Sequence, residues 1–251
     1  MTEFSIRVAG RVAAVSTLFA STRSYCKAYL CDEAPDFSVT IAPGDIRFER
    51  EKSAREDALE GIPTRQFNDE YLETIAVQRK IAEALFAWDT LLFHGSVVAV
   101  DGVAYLFTAK SGTGKSTHTR LWRELLGSRA VMINDDKPFL HVGDDGVTVF
   151  GSPWNGKHGL GCNASAPLRA ICILQRGEEN HIRRIPAKDA VTMLIQQSNR
   201  PLDKRLMLQY MRLLDRLSAQ VVFYELKCNM DPQAAVVAYE AMSKDGKEAE
   251  Q

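Results

Sequence analysis

Long hydrophobic runs, paired cysteines and an excess of one charge are all missing from this chain of 251 residues. No apolar stretch approaches the roughly 20 residues that cross a bilayer. Glu3, Arg7 and Arg11 interrupt the mildly apolar amino terminus, which therefore predicts strands rather than a secretion signal. The five cysteines are an odd number without a C-x-x-C pair, which favours reduced thiols over disulfides or zinc and predicts a cytoplasmic protein.

The remaining composition is that of an ordinary globular protein, with 45% hydrophobic and 25% charged residues. This is enough for one good core and a smaller additional domain. The formal net charge of −1 gives no electrostatic reason to bind nucleic acid or a membrane surface. We therefore expect neither partner, while a homo-oligomer is compatible with the sequence.

The pattern along the chain predicts two domains, a small β-rich region over 1–65 and a larger domain over 66–251. Within the first, Phe37 to Ile41 alternates as a half-buried strand does, and Ile46 to Phe48 is predicted as another strand. Residues 68–88 have apolar side chains at helical spacing and predict a packing helix.

Strands dominate residues 91–175 and two helices, a strand and a last helix follow, which predicts an α/β (α+β) fold with a mixed sheet. Val97 to Val100 and Val103 to Phe107 flank Asp101-Gly102, which is typical of a two-residue hairpin turn. The terminal stretch KDGKEAEQ, residues 244–251, is expected to be frayed.

A P-loop is the strongest functional signal, at Ala109 to Thr117, between an apolar strand and a helical pattern. Glycines let successive amide N–H groups turn towards phosphate oxygens, and the start of the helix adds a favourable dipole. The lysine of G-K-S-T neutralises the β- and γ-phosphates, and its serine hydroxyl ligates Mg²⁺. The predicted nucleotide-binding residues are Ser111, Gly112, Thr113, Gly114, Lys115, Ser116 and Thr117.

Two adjacent carboxylates, Asp135 and Asp136, end an apolar strand about twenty residues after the loop. P-loop folds place a Mg²⁺-binding aspartate at such a position. Neighbouring side chains at a strand end point in different directions, so one can serve the metal while the other faces an acceptor hydroxyl. A turn-capping role for one of them is the alternative.

The hairpin also places a histidine near the P-loop. With a two-residue turn at Asp101-Gly102, opposed residues have numbers that sum to 203, so His94 faces Ala109. A histidine there can hydrogen-bond a phosphoryl group or tune the pKa of a carboxylate.

Together, His94-Gly95, the hairpin, A-x-S-G-x-G-K-S and the doubled aspartate resemble the core of bacterial HPr kinase/phosphorylase, of the phosphoenolpyruvate-carboxykinase-like P-loop fold. The resemblance implies Asp135 as general base, Asp136 with Ser116 as metal ligands, and His94 as a helper. The family's Glu-Ile-Arg-Gly-Leu-Gly stretch corresponds here to Trp154 to Gly161, which lacks the glutamate.

Two cations and one aromatic residue complete the candidates. Lys157, in a loop of Gly, Pro and Trp, is predicted as a catalytic residue that stabilises transition-state charge. Arg169 is a second candidate, and either cation is as consistent with a plain surface position. Trp154 fits either the core or a substrate platform, whereas Lys110 and His118 are expected on the solvated surface.

These residues predict an ATP- and Mg²⁺-dependent kinase that phosphorylates a hydroxyl group. The acceptor is a peptide serine, free serine or another small alcohol, as for relatives of the family it resembles. An ATP-binding regulatory protein with little turnover, and an HPr kinase proper, are the alternatives.

Overall fold

The computed structural model of the chain describes residues 1–156 and 158–244, and they form two compact units, Met1–Leu85 and a second that begins at Phe86. The first unit contains three strands and three α-helices. In chain order these are β1 (Thr2–Val8), β2 (Arg11–Thr17), α1 (Ala20–Tyr25), β3 (Phe37–Thr40), α2 (Pro43–Glu60) and α3 (Asp69–Leu85).

The first unit is a small sheet of order β1-β2-β3 with its helices held by buried ionic groups. β1 and β2 pair antiparallel, whereas β2 and β3 pair parallel. On α3, the fully buried Glu73 carboxylate accepts hydrogen bonds from the Leu18 and Phe19 amides and from the Thr22 hydroxyl. Since these groups lie at the start of α1, a side chain of α3 supplies the acceptors that this helix end lacks.

The predicted strand at Ile46 to Phe48 is wrong, because these residues belong to α2. Pro43 occupies the first turn of the helix, where its missing N–H would have no partner in any case. The Asp45 carboxylate accepts a hydrogen bond from the Ala42 amide at 2.9 Å. α2 presents few apolar side chains, and its buried Glu49 pairs instead with Arg79 of α3. Such a helix has no clear apolar stripe for a sequence pattern to detect.

The second unit contains the P-loop region and begins with a short 3-10 turn at Phe86–Trp88. Its strands are β4 (Thr90–Leu92), β5 (Ser96–Val100), β6 (Val103–Thr108), β7 (Ala130–Asn134), β8 (Phe139–Val142), β9 (Val147–Phe150), β10 (Ser165–Arg176), β11 (His181–Ile185) and β12 (Val222–Cys228). Its helices are α4 (Lys115–Leu126), α5 (Ala187–Gln197), α6 (Met207–Gln220) and α7 (Gln233–Lys244).

One mixed sheet joins these nine strands, in the order β4-β8-β9-β10-β6-β5-β7, with β12 on β10 and β11 on β12. The long β10 connects the two halves of the sheet. Its first residues pair antiparallel with β9, and the remainder pairs parallel with both β6 and β12. The carboxyl ends of β6, β10 and β12 therefore meet at one edge of the sheet.

Helices cover both faces of this sheet, which explains its nearly continuous apolar strands. Alternate residues of β5 point to opposite sides, so Val97 and Ala99 pack with α5 and α6, whereas Val98 and Val100 pack with α4 and α7. The fold class predicted from the sequence, α/β with a mixed sheet, is confirmed.

The predicted hairpin is also confirmed, since Val100 pairs with Val103 around Asp101-Gly102. The division between the units lies after Leu85 rather than after residue 65, because α3 packs with α1, α2 and β3. With α2 and α3 the first unit has more helix than strand, so it is not β-rich. β11 and α1 are elements that the sequence pattern did not indicate. Of the segment 244–251, which is expected to fray, Lys244 is the last residue of α7, and 245–251 lie outside the described residues. Among the described helices, none has both the length and the apolar character that a membrane span needs.

Candidate active site

The P-loop connects β6 to α4 and bends at two glycines with left-handed backbone conformations. Gly112 has φ of 73° and Gly114, which caps α4, has φ of 112°. These conformations are unfavourable for any residue with a Cβ, so both positions require glycine. Arg176, at the end of β10, donates to the Gly112 carbonyl at 2.7 Å and ties the loop to the neighbouring strand.

The first turn of α4 offers unpaired amides and one cation to an anion. The first intrahelical bond runs from the His118 amide to the Gly114 carbonyl, so the preceding amides of Lys115, Ser116 and Thr117 have no partner within the helix. Lys115 donates through Nζ to the Ala109 carbonyl at 3.3 Å. Burial lowers the pKa of Lys115, as does Lys137, against the opposing effect of the two aspartates. An incoming phosphate would offset this loss of hydration.

Asp135 is buried and is connected to α4 by a chain of two hydroxyl groups, of which the first contacts its carboxylate. Ser96, the first residue of β5, donates to Asp135 Oδ1 at 2.6 Å. The Ser96 hydroxyl also contacts the Thr119 hydroxyl at 3.0 Å, and Thr119 lies one turn beyond Lys115 on α4. With Ser96 and Thr119 buried as well, this chain of hydrogen bonds fixes the Asp135 carboxylate relative to the P-loop helix.

Asp136 has a different environment, since about a third of its side chain is exposed. His94 Nε2 lies 3.2 Å from Asp136 Oδ1. Burial lowers the pKa of His94, so the imidazole is neutral at neutral pH and Nε2 carries the proton that it donates to the carboxylate. Burial alone would raise the pKa of Asp136, but the His94 hydrogen bond and the charges of Lys137 and Lys115 hold it below its usual value.

The hairpin register predicts that His94 lies at the start of the P-loop. A hydrogen bond between Thr108 and His94 agrees with this position. Ladder pairing of the hairpin ends at Ser96, but the Thr108 hydroxyl just before the loop donates to the His94 carbonyl at 3.0 Å. The Gly95 amide donates to the Asp136 carbonyl, so the backbone also joins the histidine segment to the aspartate segment.

Sequence reasoning missed two neighbours of the aspartates, Asn134 and Lys137. The buried Asn134 accepts hydrogen bonds from the Asp136 and Lys137 amides through its Oδ1 atom. Its Nδ2 atom donates hydrogen bonds to Asn155 and Ser152. This turn sets the direction of both carboxylates. An asparagine that precedes two aspartates at a strand end was an available signal for the turn, whereas no motif identified Lys137.

The loop after β9 packs against the two aspartates. Gly156 has φ of 69°, and a Cβ added there would lie 3.2 Å from Asp136 Cβ. Trp154 is buried, with 2% of its surface exposed, so it belongs to the core and is not a substrate platform. Lys157, the predicted catalytic cation of this loop, lies outside the described residues.

Two other sequence candidates lie elsewhere. Arg169 donates to the Ser243 carbonyl at the end of α7 and sits near the start of the strand segment paired with β6, at the opposite end of the sheet from the P-loop. His118 is buried rather than solvated, because α4 turns it inward against Phe107 and Trp122. Lys110 is exposed, as expected.

The oxygen groups at this site fit Mg²⁺. A serine hydroxyl on the first turn of α4 and an aspartate carboxylate are hard donors, and Mg²⁺ at nucleotide sites uses one or two such groups besides phosphate and water. Over residues 1–156 and 158–244, no group of three or more His, Cys, Asp or Glu side chains could enclose a metal. One hydroxyl and one carboxylate suit a Mg²⁺ ion that is also bound by phosphate oxygens.

No protein-family model matches the chain, and no curated protein matches it. Among solved structures, the chain is similar to the Hpr(Ser) kinase/phosphatase from Coxiella burnetii, at 9% identity over 64% of this chain and 99% of that chain. The TM-score is 0.39, which is too low to support a conclusion about function.

Proposed function

We propose that this protein is a kinase that transfers the γ-phosphoryl group of ATP to a hydroxyl acceptor. The observation that carries the proposal is the pair of aspartates within electrostatic range of Lys115 at the P-loop, one fixed to α4 by Ser96 and Thr119 and the other paired with His94. An anion-binding helix start beside two carboxylates provides both the grip on phosphate and an acceptor for a proton.

The surroundings of the two carboxylates support different roles. Asp136 is accessible, as a ligand of a hydrated cation must be, and with Ser116 it would bind Mg²⁺, which supplies charge neutralisation to the β- and γ-phosphates. Asp135 is shielded and oriented, which suits a general base that accepts the acceptor hydroxyl's proton. His94 positions Asp136, and Lys115 with the α4 amides binds the phosphates.

The acceptor is proposed as a peptide serine, free serine or another small alcohol. A panel of these compounds should be incubated with labelled ATP and Mg²⁺, and phosphorylated products should be measured. Asp135→Asn should lower the transfer rate by about 100- to 10,000-fold while ATP binding persists, because a general base contributes about that factor. Asp145→Asn, at the exposed turn between β8 and β9, is the matched control and should retain full activity.

The same assay separates the kinase from an ATP-binding regulatory protein. ATP consumption that rises with a hydroxyl compound supports the kinase. ATP binding without acceptor-dependent turnover across the panel would support the regulatory protein, and full activity of Asp135→Asn would exclude Asp135 as the base.

A further inference from the structure

A cavity of about 460 Å³ lies beside the P-loop at the carboxyl ends of β10 and β12. Thr117, His118 and Leu121 of α4 line one side, and Leu174 and Cys228 from the two strand ends line another. Ligands of α/β sheets bind outside the carboxyl ends of parallel strands, and cavities of this volume are typical of small-molecule sites.

The strand order separates this cavity from the aspartates. The relevant strands are arranged β12-β10-β6-β5-β7, and the P-loop follows the central β6. His94 precedes β5 and Asp136 follows β7, so the reactive groups lie on one side of β6 while the cavity lies on the other. A phosphate chain bound at the start of α4 with its terminal phosphate near Asp136 therefore has its other end directed to the cavity.

His118 provides a second, independent sign of a ligand. It is 3% exposed and lines the cavity, and its Nε2 lies 3.1 Å from Trp122 Nε1. An indole N–H only donates, so Nε2 is the acceptor of that bond. Because Nε2 accepts this bond, the ring proton of His118 is on Nδ1.

That Nδ1–H is buried and has no hydrogen-bond acceptor in the described part of the chain. A buried donor without an acceptor is costly, and it marks places where an additional group binds. Purine rings present several nitrogen acceptors beside a flat apolar face. Leu121 and Leu174 supply apolar walls, and Arg176 places a cation at the junction with the P-loop.

We propose that this cavity is the nucleoside subsite and holds the purine base of the nucleotide, with Leu121 and Leu174 against the base and His118 as a donor to it. The proposal rests on the proposed kinase function, because it requires phosphates at the P-loop. It fixes the direction of the bound nucleotide, with the base beyond β10 and the γ-phosphate towards β7.

Cys228 allows a test on the unmodified protein, since this residue lines the cavity and is partly accessible. The rate of alkylation of each cysteine would be followed by peptide mass spectrometry with ATP, with inorganic tripolyphosphate, or with neither. Cys31 of the first unit serves as internal reference. ATP should slow the modification of Cys228 relative to Cys31, whereas tripolyphosphate at saturation should leave the ratio unchanged.

A cavity-filling variant gives an independent measurement. Cys228→Phe should weaken ATP binding by about tenfold or more, because the added ring occupies the space of the base, while tripolyphosphate affinity stays within about twofold. Equal protection by both compounds, or equal loss of both affinities in a folded variant, would overturn the subsite. If the protein binds tripolyphosphate and ATP equally well, the nucleoside subsite is rejected but phosphate binding at the P-loop is retained. If neither compound binds, the proposed kinase function is rejected as well.

Discussion

Acidification should destabilise this protein through His118 in a measurable way. The pKa of the buried imidazole is about 4, compared with 6.5 as its ordinary value. Between these two values the unfolded chain binds a proton that the folded chain does not, so stability falls as pH falls from 6.5 to about 4. At about 1.4 kcal/mol per pKa unit, the complete loss is about 3 kcal/mol.

The assay is urea unfolding of the wild type and of His118→Gln at a series of pH values between neutrality and 4. Glutamine places an acceptor near the position of Nε2, so the Trp122 indole keeps a partner while the titrating group is removed. Other groups titrate in both proteins, so the difference between the two stability curves isolates His118. We expect wild-type stability to fall more steeply, by about 3 kcal/mol over the whole interval.

The result depends on the burial of His118. If the two curves run parallel from neutral pH to 4, the imidazole is solvated in the folded protein, and the buried Nδ1–H that supports the nucleoside subsite is not there either. His94→Gln provides a comparison, because the pKa of His94 is lowered as well and its removal should also flatten the curve.

Three further outcomes test the site. Lys115→Ala should lower turnover in steady-state assays by about 100- to 1,000-fold, because a donor that stabilises the phosphates is lost. Lys110 is an exposed neighbour, so Lys110→Ala should leave turnover unchanged. Equal rates for the two variants would contradict the role of the P-loop lysine. Ser96→Ala should cost about 1–3 kcal/mol in chemical unfolding by leaving buried groups unpaired and should lower kcat about 10- to 100-fold through misplacement of Asp135, with ATP affinity kept. His94→Ala should reduce kcat more than ATP affinity, and equal loss of both would indicate packing alone.

Local patterns predicted those parts of the site that local geometry determines. The two-residue turn at Asp101-Gly102 fixes the hairpin register, so the numbers of paired residues follow from the sequence alone. The P-loop and the acidic strand end are likewise contiguous segments with their own chemistry. For this reason the sequence alone predicts that His94, Lys115 and the aspartates lie near one another.

Features that depend on distant segments could not be found in this way. His118 follows the P-loop in a polar stretch, and only the packing of α4 on Phe107 turns it inward. In the first unit, α2 is stabilised by the pair between Glu49 and Arg79, thirty residues apart, rather than by an apolar stripe. Neither interaction leaves a periodic pattern in the sequence.

The direction proposed for the nucleotide also depends on distant segments. β12 follows the P-loop strand by more than a hundred residues, yet it lies only two places from β6 in the sheet because β10 pairs parallel with both. In this mixed sheet, β5 and β7 lie on one side of β6, whereas β10 and β12 lie on the other. The P-loop that follows β6 therefore has different surroundings on its two sides. The side of β5 and β7 is acidic and offers a proton acceptor, whereas the side of β10 and β12 has the apolar Leu121 and Leu174 beside the buried His118 N–H and the Arg176 cation. A ligand with phosphates at one end and an aromatic ring at the other would contact both sides, whereas a phosphate alone would not reach the cavity.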